Sequence, residues 1–211
     1  MQKDIRVLTE FDIVLPDGRL NSMLNTVIRR SVRPRFMELV STFNKYGIAK
    51  NWRGESGEYN VITSKGGFRC TRDDLTTVPK GFRVIVGNLL SGSDVIKTEN
   101  KKVFTRLFIA DPKTVCSASY LSIGSFEFRE EAENCCKYLK TRFVRTLVGC
   151  RAVGININRN AYAWVPNQDF TSESKIDWTR SVAEIDKQLY RMYNLNEEEI
   201  GYIENTMQAI E

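Results

Sequence analysis

The central part of the chain alternates short apolar runs with turn-forming residues. Five runs rich in Val, Ile, Phe and Tyr occupy residues 59–63, 67–71, 82–90, 102–110 and 120–126. They are separated by the turn signals KGG, VPKG, SGS and ADPK. Apolar segments of this length between Gly and Pro residues are typical of strands joined by tight turns. The pattern therefore predicts a twisted sheet, mixed or antiparallel, in the middle of the chain.

After residue 128 the apolar positions change to a spacing of three and four. They are Ala132, Cys135, Cys136, Leu139, Phe143, Leu147 and Cys150. This spacing places them on one stripe, so the sequence predicts a single long amphipathic helix over about 128–150, packed on the sheet. The basic residues of the same stretch are expected to lie away from that stripe, facing solvent or a ligand. They are Lys137, Lys140, Arg142 and Arg145.

The first 44 residues are predicted to form a mainly helical connector. Residues 5–15 have a pattern that allows a strand. A helix is predicted over about 21–32, because Pro34 disfavours its continuation, and a second short helix is predicted over 36–43.

The last part of the chain has the pattern of acidic helices. Ser181 with Glu184, and Asn196 with Glu199, each fit a capping box, the signature of a helix N-terminus. Asp186, near Glu184, is interpreted as ordinary helix surface.

Together these patterns predict an α+β fold, in which a long amphipathic helix packs on the sheet and a helical tail follows. The predicted boundaries are 1–44 for the connector, 45–165 for the α+β domain and 166–211 for an acidic extension packed on it.

The absence of histidine narrows the chemistry that the chain can perform. None of the 211 residues is His, which excludes Ser–His and Cys–His nucleophile pairs, His general bases and His metal ligands. The five Cys form no C-x-x-C, so we expect free thiols and no metal site. The chain has no run of about 18 apolar residues and no signal-peptide pattern, so a cytoplasmic protein without membrane contact is expected.

Charge is distributed unevenly along the chain. Residues 45–106 carry 12 basic and 6 acidic side chains, and residues 137–159 carry six basic and no acidic ones. Residues 169–211 reverse this balance, with 4 basic and 10 acidic side chains. Two cationic blocks beside an acidic tail favour a polyanionic partner such as nucleic acid, although each base taken alone is more typical of a solvated face.

Three stretches combine basic residues with Gly, Asn or an aromatic residue, around residues 50–54, 65–74 and 101–106. Loops of this kind can approach phosphates and reach base edges. We expect Arg69 and Arg72 to make groove contacts and the bases near 97–106 and 137–159 to contact phosphates. The predicted DNA-binding residues are Lys50, Trp52, Arg53, Lys65, Arg69, Arg72, Lys101, Lys102, Arg106, Lys137, Arg142, Arg145 and Arg151.

One carboxylate set allows an enzymatic alternative. Asp111, Pro112 and Lys113 have the acid-x-Lys form that restriction-type nucleases use with a further acid to hold a metal, here Asp94 or Glu99. Such a triplet also arises by chance, and Pro112 is typical of a turn. Neither G-x-x-x-x-G-K-[ST] nor G-x-G-x-x-G occurs, so neither nucleotide-binding loop is encoded. We assign no catalytic residue.

Most of the chain carries a more specific pattern. The pieces GGFRCTRDDLTTVPKGFRVIVGNLLSGSD, TVCSASYLSIGSF and YLKTRFVRTLVGCRAVGININRNAYAWVPNQDF follow one another, and a tail W-x-x-S…ID-x-x-LY-x-x-Y-x-L-x-EEEI-x-x-IE ends the series. Over about residues 45–211 the chain resembles the C-terminal target-recognition region of restriction–modification polypeptides that carry an adenine-specific DNA methyltransferase, some with a fused nuclease.

The resemblance implies a DNA target-recognition domain that performs no chemistry. Its partners would be double-stranded DNA and an upstream methyltransferase or nuclease domain or subunit. That parent enzyme would use S-adenosylmethionine, and magnesium where a nuclease is fused, whereas this chain lacks the N-P-P-[YF] methylation signature. A small metal-dependent nuclease and a protein-interaction module remain the alternatives.

Overall fold

The computed structural model describes residues 18–30, 35–90, 99, 101–152 and 154–210, and it has the predicted α+β content. The strands are β1 (Tyr59–Thr63), β2 (Gly66–Cys70), β3 (Phe82–Gly87), β4 (Leu107–Ala110), β5 (Thr114–Cys116) and β6 (Tyr120–Phe126). The α-helices are α1 (Gly18–Arg30), α2 (Arg129–Lys140), α3 (Arg142–Arg151), α4 (Val182–Met192) and α5 (Glu197–Thr206). Two short 3-10 helices occupy Phe36–Leu39 and Arg159–Tyr162.

The strands form two three-stranded sheets instead of one. The first sheet has the order β2–β1–β5, in which β1 pairs antiparallel with β2 and parallel with β5. The second sheet has the order β4–β3–β6 and is antiparallel throughout. The first is therefore mixed and the second antiparallel.

The predicted strand over 102–110 is only partly correct, since β4 begins at Leu107. Val103 has a φ of 63°, which an extended strand does not allow. β5 was not predicted, because its three residues are too short to show a pattern. The predicted strand over 5–15 lies outside the described residues.

The prediction of one long amphipathic helix is wrong, because the helix divides at Thr141 into α2 and α3. Thr141 has an extended ψ of 145°, and its Oγ1 accepts a hydrogen bond from the N–H of Val144 at 3.2 Å. The carboxylate of Asp186 in α4 accepts the N–H groups of Arg142 and Phe143, each at 3.0 Å. These bonds satisfy the first N–H groups of α3, so the chain can start a new helix there.

Two apolar cores lie on opposite sides of the second sheet. Val84 and Val86 of β3 belong to the larger core, whereas Ile85 belongs to the smaller core beneath the first sheet. Ile185 in α4 and Ile203 in α5 also lie in the larger core. The tail thus contributes to the same core as the sheet, while the domain boundaries at 44 and 165 stay predictions.

Both capping boxes predicted from the sequence are present at the starts of α4 and α5. At α4 the Ser181 hydroxyl accepts from the N–H of Glu184 at 3.3 Å, and the Glu184 carboxylate accepts from the N–H of Ser181 at 3.1 Å.

We expect Ser181→Ala to lower the free energy of unfolding by about 1 kcal/mol, because it removes this cap. Urea unfolding measures the loss. Ser56→Ala in an exposed loop is the control, and equal losses in the two variants would contradict the capping role.

The described helices include none that is both long and apolar enough to cross a membrane.

Candidate nucleic-acid interface

The β1–β2 hairpin brings two of the predicted basic stretches together. Its two-residue turn is Ser64 and Lys65, and the Thr63 hydroxyl accepts from the N–H of Lys65 at 3.1 Å while donating to the carbonyl of Gly66 at 3.0 Å. The indole N–H of Trp52 donates to the carbonyl of Arg69 at 2.9 Å. The loop at 50–54 therefore lies against β2. We call the surface around the hairpin and this loop the hairpin surface; its exposed basic residues are Lys50, Arg53, Lys65, Arg69 and Arg72.

Two glycines let the loop pass close to β2. A Cβ at Gly54 would lie 2.4 Å from the carbonyl oxygen of Arg69, and one at Gly57 would lie 2.0 Å from that of Cys70. Gly57 also has a φ of 125°, which only glycine adopts readily. Any side chain at either position would push the loop away, so these glycines are required for the hairpin surface.

The arginines of the hairpin surface are held in position by short-range contacts. Arg69 donates from Nε to the carbonyl of Gly57 at 2.9 Å and from Nη1 to Oδ1 of Asn60 at 2.7 Å. The guanidinium of Arg53 stacks over the ring of Phe68 with its Cζ 4.8 Å from the centroid. Such fixed planar groups lose little entropy when they bind a ligand. Trp52, which is half-buried, anchors the loop through its indole N–H.

The hairpin surface itself carries little net charge. Residues 50–74 contain five basic residues and the four acids Glu55, Glu58, Asp73 and Asp74, all four of which are exposed. Asp74 accepts the N–H and the hydroxyl of Thr71, each at 2.8 Å, and so fixes the turn that carries Arg72. Attraction of a polyanion must therefore depend on further cations.

A cleft of 420 Å³ supplies such cations beside the hairpin. It contains Lys102, Arg106 and Lys140, and none of its described lining residues is acidic. Arg106 donates from Nη1 to the hydroxyl of Tyr120 at 2.8 Å, and that hydroxyl donates to the carbonyl of Thr63 at 3.4 Å. Because Thr63 precedes the hairpin turn, this relay connects the cationic cleft to the hairpin surface.

Most of the basic side chains of residues 137–159 donate hydrogen bonds to main-chain carbonyls of the protein itself, which the sequence did not predict. Arg145 is wholly buried, so its predicted position on a solvent-facing helix surface is wrong. Lys137 donates to the carbonyl of Trp178 at 2.6 Å, and Arg142 donates to that of Met207 at 3.1 Å. These side chains therefore hold the tail and are not displayed as a phosphate-binding face.

Two further predicted residues also contact neighbouring segments of the chain. Arg151 donates to the carbonyl of Asn160 at 2.8 Å and stacks over Trp164 with its Cζ 4.6 Å from a ring centroid. Lys101 is half-buried, and its main chain pairs with the tail through the carbonyl of Thr206 and the N–H of Gln208. Of the predicted DNA-binding residues, those on the hairpin surface and in the cleft are therefore the ones that the fold brings together.

The nuclease-like triplet forms a turn between β4 and β5. The Asp111 carboxylate accepts the N–H of Lys113 at 2.9 Å and the hydroxyl of Thr114 at 2.8 Å. The buried Arg83 donates to the carbonyl of Asp111. Glu99 is exposed, whereas Asp94 lies outside the described residues. Within the described part of the chain, no three His, Cys, Asp or Glu residues are grouped so that they could hold a metal ion.

The cysteines are free thiols, as predicted, and burial disfavours ionisation of Cys70, Cys116 and Cys135. Burial raises the pKa of Cys70 to about 11 and that of Cys116 to about 12. A thiol with such a pKa stays protonated at neutral pH and is a poor nucleophile.

Asn60 belongs to the hairpin surface but was not predicted to contact DNA, and Lys140, in the cleft, was predicted only as one of the bases of residues 137–159 and not as a specific DNA-binding residue. Asn60 lies opposite Arg69 across the hairpin, a pairing that the hairpin register would have revealed. Lys140 reaches the cleft because α2 ends there.

Comparison of the chain with protein-family models, with curated proteins and with solved structures gives no match.

Proposed function

We propose that this chain is a sequence-specific DNA-binding module, the target-recognition domain of a restriction–modification enzyme. It would position duplex DNA for an adenine methyltransferase or nuclease domain outside the chain, and it would work in the cytoplasm. The observation that carries the proposal is the hairpin surface, where two basic segments meet at the β1–β2 hairpin, which forms one side of a three-stranded sheet. A two-stranded ribbon fits the major groove of B-DNA, and the turn end of this hairpin, with the pair Thr63 and Gly66, extends past the pairing of β1 with β5 at Asn60–Ile62.

The outer face of the ribbon carries the residue types that read bases. Asn60 and Arg69 are opposite each other in the β1–β2 register, and their side chains are hydrogen-bonded. Arg pairs bidentately with guanine and Asn with adenine in the major groove. A Cβ built at Gly66 or Gly67 meets nothing within 4 Å, so this end of the ribbon is open to a close approach by a base pair.

In this proposal, affinity and sequence choice come from different parts of the interface. Lys102 and Arg106 in the cationic cleft would neutralise phosphates and set the register, with a steep dependence on salt. The hairpin surface would then select the sequence. A methyltransferase must rotate its target base out of the stack, so the module's task is to hold the duplex while its partner does this.

The test compares one variant from each part of the interface. Preferred duplexes are first selected from a random pool, and binding is then measured by fluorescence anisotropy over a range of salt concentrations. Arg72→Ala should reduce discrimination against a wrong base by about 1–3 kcal/mol at the position it reads. Lys102→Ala should weaken all sequences alike and lower the salt slope by about 1.

Lys175→Ala, an exposed base on the loop before α4, is the matched control and should bind as the parent does. The proposal fails if Arg72→Ala and Lys102→Ala both bind selected and random duplexes as the parent does. Retention on heparin with no preference among duplexes would instead favour a protein-interaction module.

A further inference from the structure

The cationic cleft is built from three separate parts of the chain. Lys102 and Arg106 come from the segment that leads into β4, Lys140 comes from the end of α2, and Gln208 comes from the segment after α5. A cation in the last turn of α2 is favoured by the helix dipole, but that reason does not apply to Lys102 or Arg106. The fold thus brings three cations from separate parts of the chain to one cleft.

The buried Arg145 holds these three parts together. Its Nε donates to the carbonyl of Lys140 at 3.0 Å, and its Nη1 donates to that of Lys102 at 3.5 Å. Its Nη2 donates to the carbonyl of Gln208. Each of these three carbonyls belongs to a residue that lines the cleft. One guanidinium thus fixes the walls of the cleft and adds a fourth positive charge behind them.

The shape of the cleft suits a ligand with an anionic and an apolar part. Beside the cations lie the side chains of Phe104, Leu107 and Ile210, of which Leu107 and Ile210 are half-buried and leave apolar surface accessible. The volume of 420 Å³ is within the range of about 300–1,000 Å³ that is typical of small-ligand sites. Three cations and no described acidic residue line this volume, so its charge suits an anionic group.

We propose that the cationic cleft binds a nucleotide phosphate between Lys102, Arg106 and Lys140, with the sugar or base against Leu107 and Ile210. The phosphate has two sources, the DNA backbone and a free nucleotide. The first source rests on the proposed function, because the relay from Arg106 through Tyr120 to Thr63 places the phosphate beside the DNA-reading hairpin. The second source does not depend on it.

The first experiment uses the full chain labelled with ¹⁵N, titrated with pyrophosphate and with thymidine 5′-monophosphate at constant ionic strength. The amide signals of Thr105, Gln208 and Ala209 should shift, because these residues line the cleft. Lys140→Gln should raise the dissociation constant of pyrophosphate about fivefold through the loss of one charged contact. Lys187→Gln on the exposed side of α4 should leave it unchanged.

The second experiment measures the affinity of Lys140→Gln for duplex DNA over a range of salt concentrations. A salt slope lowered by about 1 identifies the DNA backbone as the source of the phosphate. Unchanged duplex binding together with weakened pyrophosphate binding identifies a free nucleotide. If the chain binds no duplex but still binds pyrophosphate at the cleft, the proposed function fails and the phosphate site remains.

Two results would overturn the phosphate site itself. The first is that the cleft amides respond to neither phosphate compound and Lys140→Gln binds duplex as the parent does. The second is that a short polyglutamate peptide shifts the cleft amides at lower concentration than pyrophosphate, which would identify the cleft as a docking point for an acidic protein segment.

Discussion

Replacing Arg145 with Met is expected to lower the free energy of unfolding by about 3 kcal/mol or more. The guanidinium is wholly buried and donates to the carbonyls of Lys101, Lys102, Lys140 and Gln208. Met fills a similar volume but has no donor, so these carbonyls lose their hydrogen bonds to the guanidinium in a site that water does not readily reach. The carbonyls of Lys101 and Lys102 still accept from the N–H groups of Gln208 and Phe104. Part of the loss is offset because the variant no longer buries a charge. Urea unfolding followed by tryptophan fluorescence measures the difference.

Hydrogen exchange separates this local role from a general loss of packing. The N–H of Gln208 donates to the carbonyl of Lys101, and the N–H of Lys101 donates to that of Thr206, at the place where Arg145 binds the carbonyls of Lys101 and Gln208. Their amides should exchange faster in Arg145→Met by a larger factor than those of β3. Arg129→Met is the control, because Arg129 is exposed and makes only an i,i+4 ion pair with Glu133; it should change stability by less than about 0.5 kcal/mol. Equal losses in the two variants would show that Arg145 does not hold this part of the fold.

The burial of Arg145 could not be predicted from the charge count or from the helical pattern. A count of charges treats every arginine as surface, and the helical pattern over 128–150 placed Arg145 opposite the apolar stripe. The structure divides that helix, and Arg145 then lies among buried residues of α3. Arg83 in β3 is a second buried arginine, with its Nη1 2.8 Å from the hydroxyl of Tyr46. Both stand within apolar runs, FRVIVG and FVRTLV, and that context is the signal that distinguishes them from surface bases.

Local signals predicted much of the rest. The capping boxes join residues three positions apart, and the two strands of the hairpin at 59–70 are separated only by a short turn, so a sequence shows both directly. The division of the helix at Thr141 depends on Asp186, which lies 45 residues further along the chain. The meeting of the 50–54 loop with β2 depends on the bond from Trp52 to the carbonyl of Arg69. Contacts of this range have no periodic signature, which is why the candidate site was predicted as separate stretches and not as one surface.

Asp186 makes the free energy of unfolding depend on pH in the direction opposite to that of surface carboxylates such as Glu184. The side chain is 4% exposed, and burial raises its pKa to about 6, although the N–H groups of Phe143 and Arg142 favour the charged form. The folded state therefore binds a proton more tightly than the unfolded state, in which the ordinary pKa of 3.8 applies. The contribution of Asp186 to stability is then greatest below about pH 4 and declines as the pH rises through 6.

We expect Asp186→Asn to remove this decline. Asn has one acceptor oxygen fewer for the N–H groups at the start of α3, and this changes the free energy of unfolding by an amount that does not vary with pH. The quantity to measure is therefore the slope of the free energy of unfolding against pH. Between pH 4 and pH 7 the stability of the parent should fall relative to that of the variant by up to about 3 kcal/mol. Urea unfolding of both proteins at intervals across this range measures it.

Glu184→Gln is the control with the opposite sign. Hydrogen bonds from the Ser181 hydroxyl and N–H lower the pKa of the exposed Glu184 carboxyl, so its contribution is present at neutral pH and is lost as the pH falls below about 4.5. Relative to the parent, Glu184→Gln should therefore lose more stability at pH 7 than at pH 4. If Asp186→Asn showed a constant difference from the parent across the whole range, the Asp186 carboxyl would have the same pKa in both states. The hydrogen bonds and positive charges around the carboxylate would then offset the whole cost of burying its charge.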